Sequence, residues 1–287
     1  MTEILYAKPA IDAELEALKS RTAKIKQEHG VIPTLRVILV GNDPGSIIYT
    51  NSKKKFCEKI GADCEIIKLD ESVEEKVFLS EVDKLNKDMN VHAVLIQLPL
   101  PKHLSHIDTT NLVLPSKDVD GFHSENISRL YRNDKSETGL VPCTPKGILT
   151  LAKHYNFNFA SKNVVIIGRS LIVGKPLSLL LTNLDATVTL AHSKTHNLKD
   201  LCLRADIIIS ACGKPKFLTS DYFRTDQSQI VIDVGINRLP NGTVCGDCDF
   251  DSIKDQLSAI TPVPKGVGPM TIFSVAQNLL HALENSL

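Results

Sequence analysis

The chain has 287 residues, with 33 Lys+Arg against 33 Asp+Glu. That zero formal charge removes the basic footprint expected of a nucleic-acid binder. No apolar stretch approaches the roughly 20 residues needed to cross a bilayer, and the acidic, amphipathic start MTEILYAKPAIDAELEAL is unlike a signal or transit peptide, so a cytoplasmic protein is expected.

In chain order, residues 9–29 show helical spacing that HGVIP ends. Three β-branched apolar runs follow, at 34–41, 64–70 and 91–101, with helical patterns at 44–60 and 72–89 between them. Short, nearly continuous apolar strands alternating with helices predict a parallel sheet covered on both faces. A loop-rich middle, LPSKDVDGFHSEN then RNDKSETGLVPCTPKG, interrupts the alternation. It resumes with strands at 163–168, 186–193, 205–213, 229–236 and 257–264, and TIFSVAQNLLHALENSL reads as a closing helix. The fold class is α/β, in two domains divided near PCTPKG, a division that suits the chain's length. Seven scattered cysteines are expected to be reduced thiols. The lone Cys245-x-x-Cys248 is a weak zinc signal, and no metal is expected.

In NVVIIGRSLIVGKPLSLLL, Gly168 ends a strand, Gly174 precedes a helix and Pro176 suits that helix's first turn. Such a turn aims backbone N–H groups and the positive helix end at a phosphate. It is not a P-loop: five residues separate the glycines and Pro176 stands where a hydroxyl should hold magnesium. It is not G-x-G-x-x-G either, so an ordinary βα turn stays open beside a dinucleotide site. The next strand decides in favour of a dinucleotide. NAD-binding folds place an acid there for the ribose hydroxyl, whereas this one ends in His192, Ser193 and Lys194. Ser193 and Arg169 suit a ribose phosphate that a carboxylate would repel, so NADP is predicted over NAD.

SIIYTNSKKKF poses a different problem, three consecutive lysines. On a helix starting near Asp43-Pro44, with Tyr49 at zero, Lys53 falls at roughly 40°, Phe56 at roughly 340° and Ile60 at roughly 20°. Lys54 and Lys55 share the opposite face with Glu58 and Lys59. Lys53 alone sits in the apolar stripe, and a snorkelling lysine with a packed stem remains an open reading beside a functional one.

YTNSK (49–53), IQLPLP (96–101), KDVDGF (117–122), PCTPKG (142–147), GRSLIVGKP (168–176), AHSKT (191–195), IDVGINR (232–238) and TPVPKGVGPMT (261–271) occur in that order. Over nearly its whole length the chain resembles the bifunctional methylenetetrahydrofolate dehydrogenase/methenyltetrahydrofolate cyclohydrolase family. The resemblance implies a catalytic folate-binding domain from 1–143 with the closing helix 271–287. It also implies a Rossmann-type NADP domain from 144–270, a cleft between the two, and a homodimer. Two reactions are implied at one site: hydride transfer from 5,10-methylenetetrahydrofolate to NADP+, then hydrolysis of the methenyl product to 10-formyltetrahydrofolate. Alternatives are a dehydrogenase without the hydrolase, and a non-catalytic NADP-binding protein.

The same resemblance makes Lys53 the general acid/base, Gln97 its neutral partner and Tyr49 the residue positioning folate, with Ile96 and Leu98 at the substrate. Asp120 matches the acid that reads the pterin's two N–H donors, although an Asp-Gly turn is the plainer reading of the residues alone. Gly168, Arg169, Ser170 and Ser193 match the cofactor segment, Ile236 a backbone contact near the nicotinamide, and Pro264 to Gly268 a loop over folate. Lys265 replaces a glycine usual in the family. Either it strains the loop at positive φ, or it adds a cation that suits folate's anionic tail. The start LYAKPAI lacks the family's usual Asp-Gly-Lys, and Cys248 replaces a usual valine, read as a packing substitution.

Overall fold

The computed structural model describes residues 1–133 and 139–287. In chain order the elements are β1 (Glu3–Ile4), α1 (Ala7–His29), β2 (Thr34–Val40), α2 (Pro44–Ile60), β3 (Asp63–Leu69), α3 (Glu75–Lys87), β4 (Ala93–Ile96) and α4 (Ser124–Arg132). They continue with α5 (Cys143–His154), β5 (Asn163–Ile167), α6 (Gly174–Thr182), β6 (Thr187–Ala191), α7 (Leu198–Arg204), β7 (Ile207–Ser210) and β8 (Ile230–Asp233). The last are β9 (Asn237–Arg238), β10 (Val244–Cys245), α8 (Phe250–Ile253), β11 (Ala259–Ile260) and α9 (Val267–Glu284). Two compact units result: Ala13–Cys143 with Ile272–Leu287, and Met1–Asp12 with Thr144–Thr271.

The first unit holds a three-stranded sheet of order β3-β2-β4, parallel throughout. Central β2 buries Leu35, Val37, Ile38, Leu39 and Val40, which is why its sequence is apolar without alternation. Helix α3 buries Phe78, Val82 and Leu85, spaced i, i+4, i+7, into the core beside Ile38, Val94 and Ile96. Helix α2 is delimited by local chemistry. Asp43 accepts from Ser46 N at 2.7 Å, Pro44 occupies the first turn, and Gly61 closes the end at φ 83.

The second unit holds a six-stranded sheet of order β1-β11-β8-β7-β5-β6. From β5 the chain goes out to β6, then crosses back to β7 on β5's other side. That reversal is the topological switch point where open parallel sheets bind ligands, beyond the carboxyl ends of the strands.

Three expectations change. The first twelve residues belong with the six-stranded unit, because β1 pairs with β11 (Glu3↔Ala259, Ile4↔Ile260) and Ala7 N donates to Lys265 O. The run 91–101 is a strand only to Ile96. The Gln97 N–H still reaches Ile38 O, but β2 ends two residues later and Pro99 has no N–H to continue the ladder. The loop-rich middle contains α4, entered where the His123 ring accepts from Glu125 N. Residues 134–138 of that expected loop lie outside the described residues.

Candidate active site

Helix α2 turns Ser46, Thr50, Lys53, Cys57 and Ile60 inward, a 4-3-4-3 spacing that puts one lysine of the run on the packed face. Lys53 is 8% exposed, while Lys55 is exposed and Lys54 is half-buried rather than fully outward. The Lys53 Nζ donates to Gln97 Oε1 at 2.9 Å, and Gln97 Nε2 donates to Leu98 O at 2.8 Å. The second bond fixes the amide's orientation: its NH2 is committed to a carbonyl, so its oxygen faces the amine. Gln97 sits one residue past the end of β4, and Tyr49 lies one turn before Lys53, half-buried.

Asp120 belongs to the same unit. It lines a recess with Ile96, Leu98, Thr109, Thr110 and Phe122, whereas Tyr49, Lys53 and Gln97 are not among the recess residues. Burial pushes the Asp120 carboxyl up to about 6; the Lys53 charge pulls it down and the Asp118 charge adds to the rise. The two acids of DVD therefore have different work. Asp118 accepts from Gly121 N, His123 N and Asn126 Nδ2, so its carboxylate is spent inside the turn. Gly121 is required there, since a Cβ would lie 2.6 Å from Pro142 N and its φ is +77. Buried Asn278 of α9 braces the far side, donating to Val119 O and Val141 O at 2.8 Å each. Asp118, Asn126 and Asn278 were missed by sequence reasoning. The D-x-D repeat was a usable signal for Asp118; nothing local marks the other two.

In the six-stranded unit, the turn after β5 is built on close backbone approach. A Cβ on Gly168 would lie 2.2 Å from Ala211 O, and one on Gly174 would lie 1.9 Å from Gly168 O. The Ser170 hydroxyl accepts from Val173 N at 3.1 Å and Gly174 N at 3.5 Å, so it holds the entry to α6. Ile167 of β5 and Ala191 of β6 are register partners, which places Arg169 and Ser193 each two residues beyond a paired position. Both are exposed, in the loops that leave the carboxyl ends of these adjacent strands. Backbone this tight, a helix start and an arginine that makes no ion pair among the described residues suit a dinucleotide phosphate. Ile236 follows β8 and is 49% exposed.

Pro264, Lys265 and Gly268 lie in the same unit, and Lys265 takes φ 88, so the strain branch of the sequence expectation is realised. Cys245 and Cys248 are free thiols, Cys248 buried as a packing residue. Among the described residues, no group of three or more His, Cys, Asp or Glu side chains is arranged to hold a metal ion. Nor is any described helix long and apolar enough to cross a membrane.

A doubly wound dinucleotide-type unit, and an α/β unit holding a buried lysine on a neutral amide, define a nucleotide-dependent α/β enzyme. Family models agree. Residues 5–120 match the catalytic domain of tetrahydrofolate dehydrogenase/cyclohydrolase, and 142–287 match its NAD(P)-binding domain. The bifunctional protein FolD of Bacillus mycoides is 47% identical over 269 residues, covering 94% of this chain and 92% of that protein. The bifunctional FolD enzyme of Campylobacter jejuni superposes with TM-score 0.93 at 40% identity, covering 100% of both chains. The Trypanosoma brucei methylenetetrahydrofolate dehydrogenase-cyclohydrolase, solved with NADP cofactor and inhibitor, gives 0.92 at 30% identity over 99% of this chain and 98% of that one. The chain belongs to the tetrahydrofolate dehydrogenase/cyclohydrolase family.

Proposed function

We propose that this chain oxidises 5,10-methylenetetrahydrofolate to the 5,10-methenyl cation with NADP+, then hydrolyses that cation to 10-formyltetrahydrofolate. The observation that carries the reading is the buried Lys53 amine seated on Gln97 Oε1 in the unit that also presents Asp120. NADP+, when bound, supplies the hydride acceptor. Hydride transfer asks the protein mainly for ring alignment, because the folate nitrogens spread the charge of the product. Water addition and ring opening ask for a group that takes and returns a proton, and Lys53 Nζ is placed for that work. A neutral amide partner orients the amine through a single accepted hydrogen bond.

Asp120 takes the pterin's two adjacent N–H donors, which suits a carboxylate whose hydrogen-bonding oxygens are not spent in its own turn. Tyr49 positions the folate ring system, and Ile96 and Leu98 line its approach. On the cofactor side, Gly168 and Ser170 shape the phosphate turn, and Arg169 and Ser193 bind the ribose phosphate. Ile236 backs the nicotinamide, and the segment from Pro264 to Gly268 flanks folate. The reading includes a cytoplasmic homodimer, supported by the family resemblance.

The test is a time course on purified protein given methylenetetrahydrofolate and NADP+. NADPH, a transient methenyl species and then the formyl product are expected, with NADP+ preferred over NAD+ by about tenfold or more, the scale of one charge-assisted contact. NADPH without formyl product removes the hydrolase half; absence of NADPH removes the whole reading.

A further inference from the structure

One buried cluster in the six-stranded unit has no part in the chemistry above. Asp247 is fully buried, and its Oδ2 accepts from Cys212 N at 2.8 Å, Gly213 N at 3.2 Å and Ser210 Oγ at 3.1 Å. Its Oδ1 accepts from Lys214 N and from Asn237 Nδ2, each at 2.9 Å. Beneath it, Asp233 is 3% exposed; its Oδ1 accepts from Gly235 N and Asp247 N, and its Oδ2 from Cys248 N. Buried carboxylates persist only when their oxygens are satisfied in this way. Space is equally committed: a Cβ at Gly235 would lie 2.2 Å from Asp247 Oδ1, and one at Gly246 would lie 1.9 Å from Asp233 Oδ2.

The cluster joins three connections: the loop after β7, the loop after β8, and the β9–β10 hairpin whose strand β10 directly precedes Gly246 and Asp247. The first presses against the glycine turn, because Ala211 O occupies the space a Gly168 side chain would need. The second carries Ile236 between two anchors, Gly235 N on Asp233 and Asn237 Nδ2 on Asp247, while the Ile236 side chain stays 49% exposed. An apolar side chain facing outward, with its backbone neighbours tied down on both sides, is a presented surface rather than a core residue.

We propose that Asp247, seated on Asp233, is a positioning residue. It holds segments 212–214 and 235–237 as one rigid platform for the nicotinamide half of the cofactor. This rests on the reading that Ile236 faces the nicotinamide. It also separates the two activities: hydride transfer depends on sub-ångström alignment of that ring, whereas hydrolysis of the methenyl cation consumes no cofactor. Asn237→Ala removes one anchor from a half-buried site and leaves the carboxylates satisfied by backbone. Its dehydrogenase kcat is expected to fall about tenfold, with KM for NADP+ moving less than about threefold because the Gly168 turn still holds the phosphates. Hydrolysis of supplied methenyltetrahydrofolate, measured without NADP+, is expected to stay within about twofold of the unaltered enzyme.

Asp247→Asn presents an NH2 group to backbone donors and is expected to cost the dehydrogenase about a hundredfold, again with hydrolysis retained. Should that variant not fold, Asn237→Ala decides alone. Equal loss of both activities in Asn237→Ala, an effect on KM with kcat unchanged, or no loss in the dehydrogenase would each overturn the proposal. Failure of the unaltered enzyme to reduce NADP+ would instead remove the reading on which it stands.

Discussion

The position of Asp120 sets a pH dependence that substrate kinetics can read. Its carboxyl is pushed up to about 6 by burial, against the downward pull of Lys53. Accepting two N–H donors from the pterin requires the ionised form. At pH 5 a group titrating at 6 is about 9% ionised, and at pH 7.5 about 97%. Dehydrogenase kcat/KM, which reports the free enzyme, should therefore rise about tenfold between those values, with an apparent pKa near 6. Asp120→Asn should flatten that limb and raise KM for folate. Lys53→Met should move the limb upward, because it removes the nearby charge that favours the carboxylate. The assay is initial-rate NADPH formation across pH 5 to 8 at saturating NADP+, for the unaltered enzyme and both variants. A limb that persists in Asp120→Asn, or that moves downward in Lys53→Met, would refute the assignment.

Lys53→Met, which keeps an unbranched packed stem, should also lower methenyl hydrolysis by about a hundredfold or more while dehydrogenase turnover remains appreciable; retention of both activities would sink the acid/base role. At Lys265 the left-handed φ of 88 costs a side chain about 1–2 kcal/mol, and glycine returns about half of that through its freer unfolded chain. Lys265→Gly should thus gain about 0.5–1 kcal/mol and raise Tm by about 1–4 °C by calorimetry. Unchanged or lower Tm would refute the strain. Weaker affinity of the same variant for polyglutamylated folate would show that the cation binds the tail.

Helical phase was enough to separate Lys53 from Lys54 and Lys55, because burial on a helix repeats at a period the sequence displays. Phase could not supply Gln97, whose contact with Lys53 spans 44 positions and depends on β4 ending beside α2. The family likeness supplied that pair, and the structure shows Gln97 following β4, whose register runs to Ile38↔Ile96. Strand β1 was invisible for a simpler reason: two residues carry no alternation, and only a partner, β11, makes them a strand. The acids show the same limit more sharply. Asp118 and Asp120 are chemically identical and two apart, yet one fills its own turn and the other lines the recess. In VCGDCDF the paired cysteines drew the metal question, while the acid between them is the residue that ties three connections together. What distinguishes such residues is where backbone N–H groups from distant loops point. A one-dimensional pattern registers that only indirectly, through the glycines that the convergence forces at 235 and 246. A glycine beside an acid at the end of a buried strand is accordingly a signal for a buried anchoring carboxylate, not only for a turn.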